Sequence, residues 1–143
     1  MEWVTDDGGR AAAGYKGSTG DCVCRAIAIV TGKPYQEIYD LLIDFSSKER
    51  NSKRKARKSH PRTGIYKGTM RRVMAHLGWK WVPTMFVGKG CKVHLRAEEL
   101  PKGRLIVALS KHECAVIDGV VHDLYDPSRD GVRCVYGYYI KDD

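Results

Sequence analysis

No run of this chain approaches the ~18 consecutive apolar residues that a membrane helix requires, although apolar residues make up 43% of it. The N-terminus Met1-Glu2-Trp3-Val4-Thr5-Asp6-Asp7 is acidic and lacks the basic and apolar regions of a secretory signal. A cytoplasmic location without membrane contact is the expectation. A paired cysteine framework is also lacking. The five, at positions 22, 24, 91, 114 and 134, are odd in number and have no tight spacing beyond Cys22-x-Cys24, which is not a secreted disulfide framework. Reduced thiols are expected. No internal repeat and no internal domain boundary is visible, so the 143 residues predict one domain, 1–143, with one core.

Against that background one stretch stands out, Gly20-Asp21-Cys22-Val23-Cys24-Arg25-Ala26-Ile27-Ala28-Ile29-Val30. A glycine and an acidic cap run into an apolar helix that begins on a cysteine. The first N–H groups of a helix lack partners within it, and the positive end of its dipole lies there, so a thiolate at Cys22 is stabilised. Helix one is expected over residues 22–31, closed by Gly32, with Cys22, Ala26, Ile29 and Val30 on its buried face. Cys24 points elsewhere and is assigned to structure.

Near the far end, residues 109–127 read as a β-hairpin turning at Asp118-Gly119, because a type I′ turn needs positive φ at both central positions. In that register His112 faces Tyr125, and Asp123 lies one diagonal step away on the same sheet face. His122, adjacent to Asp123, belongs to the other face. A helix-borne cysteine, a histidine opening a strand and a carboxylate on the next strand form the chain order of a thiol-imidazole-carboxylate triad. The carboxylate is Asp123 by strict alternation, or Asp126 if a bulge shifts the register.

Gly20-Asp21-Cys22 before an apolar helix, His112 with Ala115-Val116-Ile117-Asp118-Gly119, and Tyr125-Asp126-Pro127 together resemble the papain-like cysteine peptidase superfamily. The likeness is to its small members, bacteriocin-processing peptidase domains and secreted effector peptidases of pathogens, and to short papain-like proteins of bacteria and their phages. The resemblance implies a Cys22 nucleophile, a His112 base and a third residue at Asp126. It also implies an oxyanion donor, usually Gln or Asn, about six residues before the nucleophile. Here that position is Lys16, while Gln36 and Asn51 are the single carboxamides and lie downstream. The second donor beside the Cys22 backbone N–H must then come from Lys16, Ser18, Thr19 or a backbone N–H; losing such a donor costs roughly 10² to 10³ in turnover.

The remaining segments supply scaffold. Residues 1–20, rich in glycine, are expected to be an irregular, mobile wall of the site. Pro34 suits the first position of a second helix with Tyr35, Ile38, Leu41, Leu42 and Phe45 as its stripe. A third helix is expected over residues 69–77 on Met70, Val73, Met74 and Leu77, with His76 at the surface. Strands follow at residues 80–86, with Pro83 marking an edge, at 104–109, in the hairpin, and at 133–140; residues 96–100 suggest a helical turn. The fold class is α+β, with N-terminal helices packed on a C-terminal antiparallel sheet.

Net charge is +8, concentrated between residues 48 and 72. The block of residues 48–58 holds Lys53, Arg54, Lys55, Arg57 and Lys58 with Glu49 as its single acid, and predicts a basic mobile loop at about residues 46–63. Nucleic acid is one partner for such a loop, but Trp79, Trp81, Tyr136, Tyr138 and Tyr139 do not interleave with it as base-stacking rings would. An acidic protein or peptide suits it better. Cys91-Lys92-Val93-His94 has ligand-like spacing, yet it is a single mixed unit, and it is assigned to a loop containing a buried thiol, with no metal and no cofactor expected. The function expected is a cysteine hydrolase, peptidase or amidase, acting through an acyl-enzyme. Deamidase, transglutaminase and acyltransferase chemistry share the same first step. The alternative is a catalytically silent papain-like module that binds nucleic acid or an acidic protein through its basic loop.

Overall fold

The computed structural model describes residues 1–17, 20–50 and 57–141. Three helices lie against one face of a six-stranded mixed sheet, an α+β arrangement. In chain order these are β1 (Trp3–Thr5), α1 (Cys22–Thr31), α2 (Tyr35–Ser47), α3 (Lys67–His76), β2 (Lys80–Pro83), a 3-10 turn (Ala97–Glu99), β3 (Arg104–Leu109), β4 (His112–Ile117), β5 (Val120–Asp123) and β6 (Gly137–Ile140). Across the sheet the order is β1-β5-β4-β3-β6-β2.

β3 alternates between two cores. Ile106 faces the helices together with Ala115 and Tyr139, meeting Ile27, Ile38, Leu42, Met70, Val73 and Met74. Leu105, Val107 and Leu109 face the other way with Cys114, Val116 and Val121, beneath Leu95, Leu100 and Val135. Burial of a side chain of this size stabilises by about 1.5–3 kcal/mol, so each face anchors the strands that carry the site. α1 is wedged between α2 and β4, and Val23, Cys24, Arg25, Ala26, Ile27, Ala28 and Val30 are all buried. The single apolar stripe expected for it is therefore too narrow; Ile29, assigned to that stripe, is half-buried. A helix buried nearly all round needs apolar residues on most sides. Gly32 ends it in the left-handed region at φ 71°, its N–H bonded to the Ala28 carbonyl.

The hairpin forms as its turn dictates. Asp118 and Gly119 take φ 49° and 81°, and Ile117 pairs with Val120, Val116 with Val121 and Ala115 with His122. Ahead of it a second tight turn at Ser110-Lys111, with Lys111 at φ 57°, pairs Leu109 with His112 and fixes the histidine at the mouth of β4. β2 is an edge strand ending at Pro83, whose missing N–H cannot support a neighbour. Its rings leave no room in β6, where a Cβ on Gly137 would sit 2.5 Å from Trp81.

Several expectations are corrected. The sheet is not wholly antiparallel or C-terminal: Trp3–Thr5 adds to β5 in parallel, Trp3 opposite Val121 and Thr5 opposite Asp123. The glycine-rich lead-in is thus partly sheet, and its turns are ordered by Asp6 and Asp7 accepting from the N–H groups of Gly8 and Gly9. Pro34 stands just before α2, and α3 starts at Lys67, two residues earlier than periodicity suggested. The last strand is shorter than expected, beginning at Gly137. In the basic block Glu49 is buried, not solvated. It accepts from the Ser59 N–H at 2.7 Å and from the Ser59 and Thr69 hydroxyls, tying the end of α2 to the start of α3. Cys91 and Cys134 form a disulfide across 43 residues, contrary to the expectation of reduced thiols throughout. No helix among the described residues is long and apolar enough to cross a membrane.

Candidate active site

The site forms where the N-terminus of α1 meets the open end of the hairpin. Cys22, the first residue of α1, is half-buried, while Cys24 and Cys114 are closed off at 0% and 1% exposure. Burial pushes the Cys24 thiol up to about 12 and raises Cys114 well above the ordinary range, so neither supplies a thiolate near neutrality. With Cys91 and Cys134 joined, Cys22 is the one free thiol that is not buried.

His112 brings Asp123 and Cys22 together electrostatically. Its Nε2 donates to Asp123 Oδ2 at 2.6 Å, and the Cys22 side chain is near enough to the ring to raise its basicity. Burial alone would lower the basicity of the ring; Asp123 and Cys22 outweigh it, and His112 is raised to about 9. Tyr125 packs on the ring at 5.3 Å between centroids, as the hairpin register predicts. The Asp123 carboxylate is itself held on both oxygens. Its Oδ1 accepts from Arg25 Nη1 at 2.8 Å and from the Leu124 N–H at 2.7 Å. Burial pushes Asp123 up, but the His112 contact and then the Leu124 and Arg25 bonds leave it below the usual carboxylate range.

Behind Asp123 runs a chain of charge that pattern reasoning did not assemble. Arg25 Nε donates to Asp21 Oδ1 at 2.9 Å, Arg10 Nη1 reaches the same carboxylate at 3.1 Å, and the Tyr35 hydroxyl donates to Asp21 Oδ2 at 2.8 Å. Asp21 is fully buried, and against that burial Tyr35 and Arg25 keep it below its ordinary value. The expectation that Asp21 caps α1 is therefore corrected: it makes no side-chain cap bond. The arginines and the tyrosine compete it away from the first turn and leave that turn uncapped beside Cys22. Gly8 lets the lead-in approach this chain. A Cβ there would meet the Arg25 carbonyl at 2.8 Å, at a φ of +67° that L side chains rarely adopt. The Asp21-x-x-x-Arg25 spacing, one helical turn, was the readable signal for the pair.

The other named candidates fall elsewhere. Asp126 accepts from the Ser128 N–H at 2.9 Å, a local turn, and lines a surface hollow of about 430 Å³ that opens on His112 with Lys111, Tyr125, Arg129 and Arg133. His122 Nδ1 pairs with Asp6 at 3.2 Å. Lys16 is exposed, and its carbonyl accepts from Arg62 Nη2 at 2.9 Å, while the Gly20 N–H donates to the Arg62 carbonyl at 3.0 Å. Arg62 thus clamps both sides of the segment entering α1. Gln36 is occupied by the Tyr15 hydroxyl and Asp40. Ser18 and Thr19, the other oxyanion candidates, lie outside the described residues, as do Asn51, Lys53, Arg54 and Lys55. Of the basic block, Arg57 and Lys58 are exposed, the Arg57 carbonyl accepting from the Tyr66 hydroxyl and Lys58 Nζ donating to the Ser47 carbonyl. Cys91, His94 and Cys134 converge; the spacing of Cys91 and His94 was readable, but Cys134 is too distant in sequence for spacing to join it to them. No protein-family model, curated protein or solved structure compared with the chain matches it.

Proposed function

We propose that the chain is a cysteine hydrolase of papain-like type, a peptidase or amidase, in which Cys22 is the nucleophile, His112 the general base and acid, and Asp123 the orienting carboxylate. The observation that carries this reading is the buried His112 ring bonded to Asp123, with its basicity raised also by Cys22 at the start of α1. Because Nε2 is committed to Asp123, Nδ1 is the nitrogen left to exchange a proton with the thiol. The thiolate attacks a carbonyl carbon, and the tetrahedral oxyanion is met by N–H groups of the uncapped first turn of α1. His112 then protonates the leaving amine, giving a thioester on Cys22, and afterwards takes a proton from the water that hydrolyses it. Asp123 keeps the ring in one orientation and favours its cationic form, and Arg25 keeps Asp123 in place.

Lys111, Arg129 and Arg133 around the hollow at His112 favour a substrate carrying negative charge there. The partner role of the basic block is separable from this chemistry. Neutralising Arg57 and Lys58 leaves Cys22 acylation unchanged and weakens binding of an acidic peptide, less so as salt is raised. Incubation with an electrophilic acyl probe, followed by intact-mass measurement, tests the enzyme reading. One adduct that disappears in Cys22→Ala supports it. No adduct, together with salt-sensitive binding to nucleic acid, replaces it with the silent binding module.

A further inference from the structure

On the opposite side of the sheet from the helices, residues 93–95 and 133–135 are stitched together by two backbone bonds, Leu95 N–H to the Arg133 carbonyl at 2.9 Å and Val135 N–H to the Val93 carbonyl at 2.8 Å. The bridge sets His94 directly opposite Cys134. Leu95 and Val135, fully buried, root both segments in the second core. Cys91, three residues before His94, folds back so that its sulfur, the Cys134 sulfur and a ring nitrogen of His94 all lie within 4.8 Å of one another. Glu99 accepts from the His94 backbone N–H at 3.1 Å and lies 3.2 Å from His94 Nδ1. Arg96 steadies the other Glu99 oxygen at 3.5 Å.

This is a ligand set as well as a disulfide. Two thiolates and an imidazole select a borderline-soft divalent ion, and with Glu99 on Nδ1 the ring has Nε2 left for the ion, the carboxylate being the kind of partner that fixes a metal-bound histidine. We propose that the reduced chain binds a zinc-type divalent cation through Cys91, His94 and Cys134, with solvent in the fourth position, and that the Cys91–Cys134 disulfide is the alternative, oxidised state of the same loop pair. A cellular thiol reductant supplies two electrons and two protons to open the S–S bond. The ion then displaces the two thiol protons and draws the sulfurs to ~3.8 Å apart, as Zn–S bonds of about 2.3 Å in a tetrahedron require. The Cα atoms, at 5.9 Å, already stand close enough for either state.

Cobalt(II) reports such a site through thiolate-to-metal charge-transfer absorption. The full chain, reduced with a dithiol and desalted without oxygen, is expected to take one equivalent with that absorption, to lose it to one equivalent of zinc, and to show none while the disulfide is intact. Cys22→Ala retains the signal; Cys134→Ser loses it; Glu99→Gln weakens zinc binding by roughly ten- to a hundred-fold. His94→Gln serves as a second ligand variant should Cys134→Ser fail to fold. A disulfide that the dithiol does not open, a reduced chain without charge-transfer absorption, or absorption that survives in both ligand variants overturns the proposal.

Discussion

The hairpin carries two histidines, each bonded to an aspartate, and the two pairs could hardly be more different in setting. His112 and Asp123 are 8% and 2% exposed at 2.6 Å; His122 and Asp6 are 24% and 35% exposed at 3.2 Å. Asp123 is further bound by Arg25 and the Leu124 N–H, and His112 is raised further by Cys22. Asp6 has turned its second oxygen to the Gly8 N–H. Histidine beside aspartate is thus no functional signature in itself. What distinguishes the first pair is exclusion from water, saturation of the carboxylate and a thiol within reach, and these come from three separate elements.

That contrast orders the expected effects of substitution. Asp123→Asn, which keeps the shape but loses the charge that holds the His112 tautomer, is expected to slow turnover of an acyl substrate by about 10⁴-fold, whereas Asp6→Asn leaves the rate unchanged. Steady-state kinetics on both variants measure the difference, and an equal loss in the two would erase the distinction.

Arg25→Met comes next. It removes the cation that the buried Asp21 and Asp123 share, leaving Asp21 to Arg10 and Asp123 to His112, and is expected to destabilise the fold by about 3 kcal/mol in urea denaturation, because removing one partner of a buried ion pair costs far more than removing an exposed one. The matching surface change, His122→Ala, is expected to cost no more than ~1 kcal/mol.

The pH dependence is a subtler separation. His112 is raised from 6.5 to about 9, so the native state holds its proton more tightly than the unfolded chain does. Its contribution to stability is complete below pH 6.5 and is lost as pH rises through 9. Asp123, shifted the other way, contributes above its ordinary carboxylate value and loses that contribution in acid. Denaturation midpoints measured across the alkaline range should fall in wild type and lose that component in His112→Gln.

Local pattern made part of this legible. The helix at Cys22, the turn at Asp118-Gly119 and the meeting of His112 with Asp123 follow from periodicities of a few residues, and the structure holds all three contacts or elements. The charge chain was half legible, since Asp21 and Arg25 share a helical turn. Its connection to Asp123 spans 98 residues and depends on α1 packing across β4, which no local spacing encodes. Strand β1 was hidden by its three-residue length and by glycines that suggested only a loose lead-in. Glu49 looked like one acid lost among cations, and only the approach of Ser59 and Thr69 explains its burial. Cys91 and Cys134 were unreadable as a pair for the same reason, their segments being brought together by a bridge between distant loops.

The most direct test of the difference between the two histidines is the rate at which Cys22 is acylated by an electrophilic acyl probe, followed by mass spectrometry in wild type, His112→Ala and His122→Ala. The expected result is a single adduct on Cys22 that forms at the wild-type rate in His122→Ala and falls to background in His112→Ala while the latter retains its fold by circular dichroism. Acylation of a folded His112→Ala at the wild-type rate would contradict the assignment of His112 as the base.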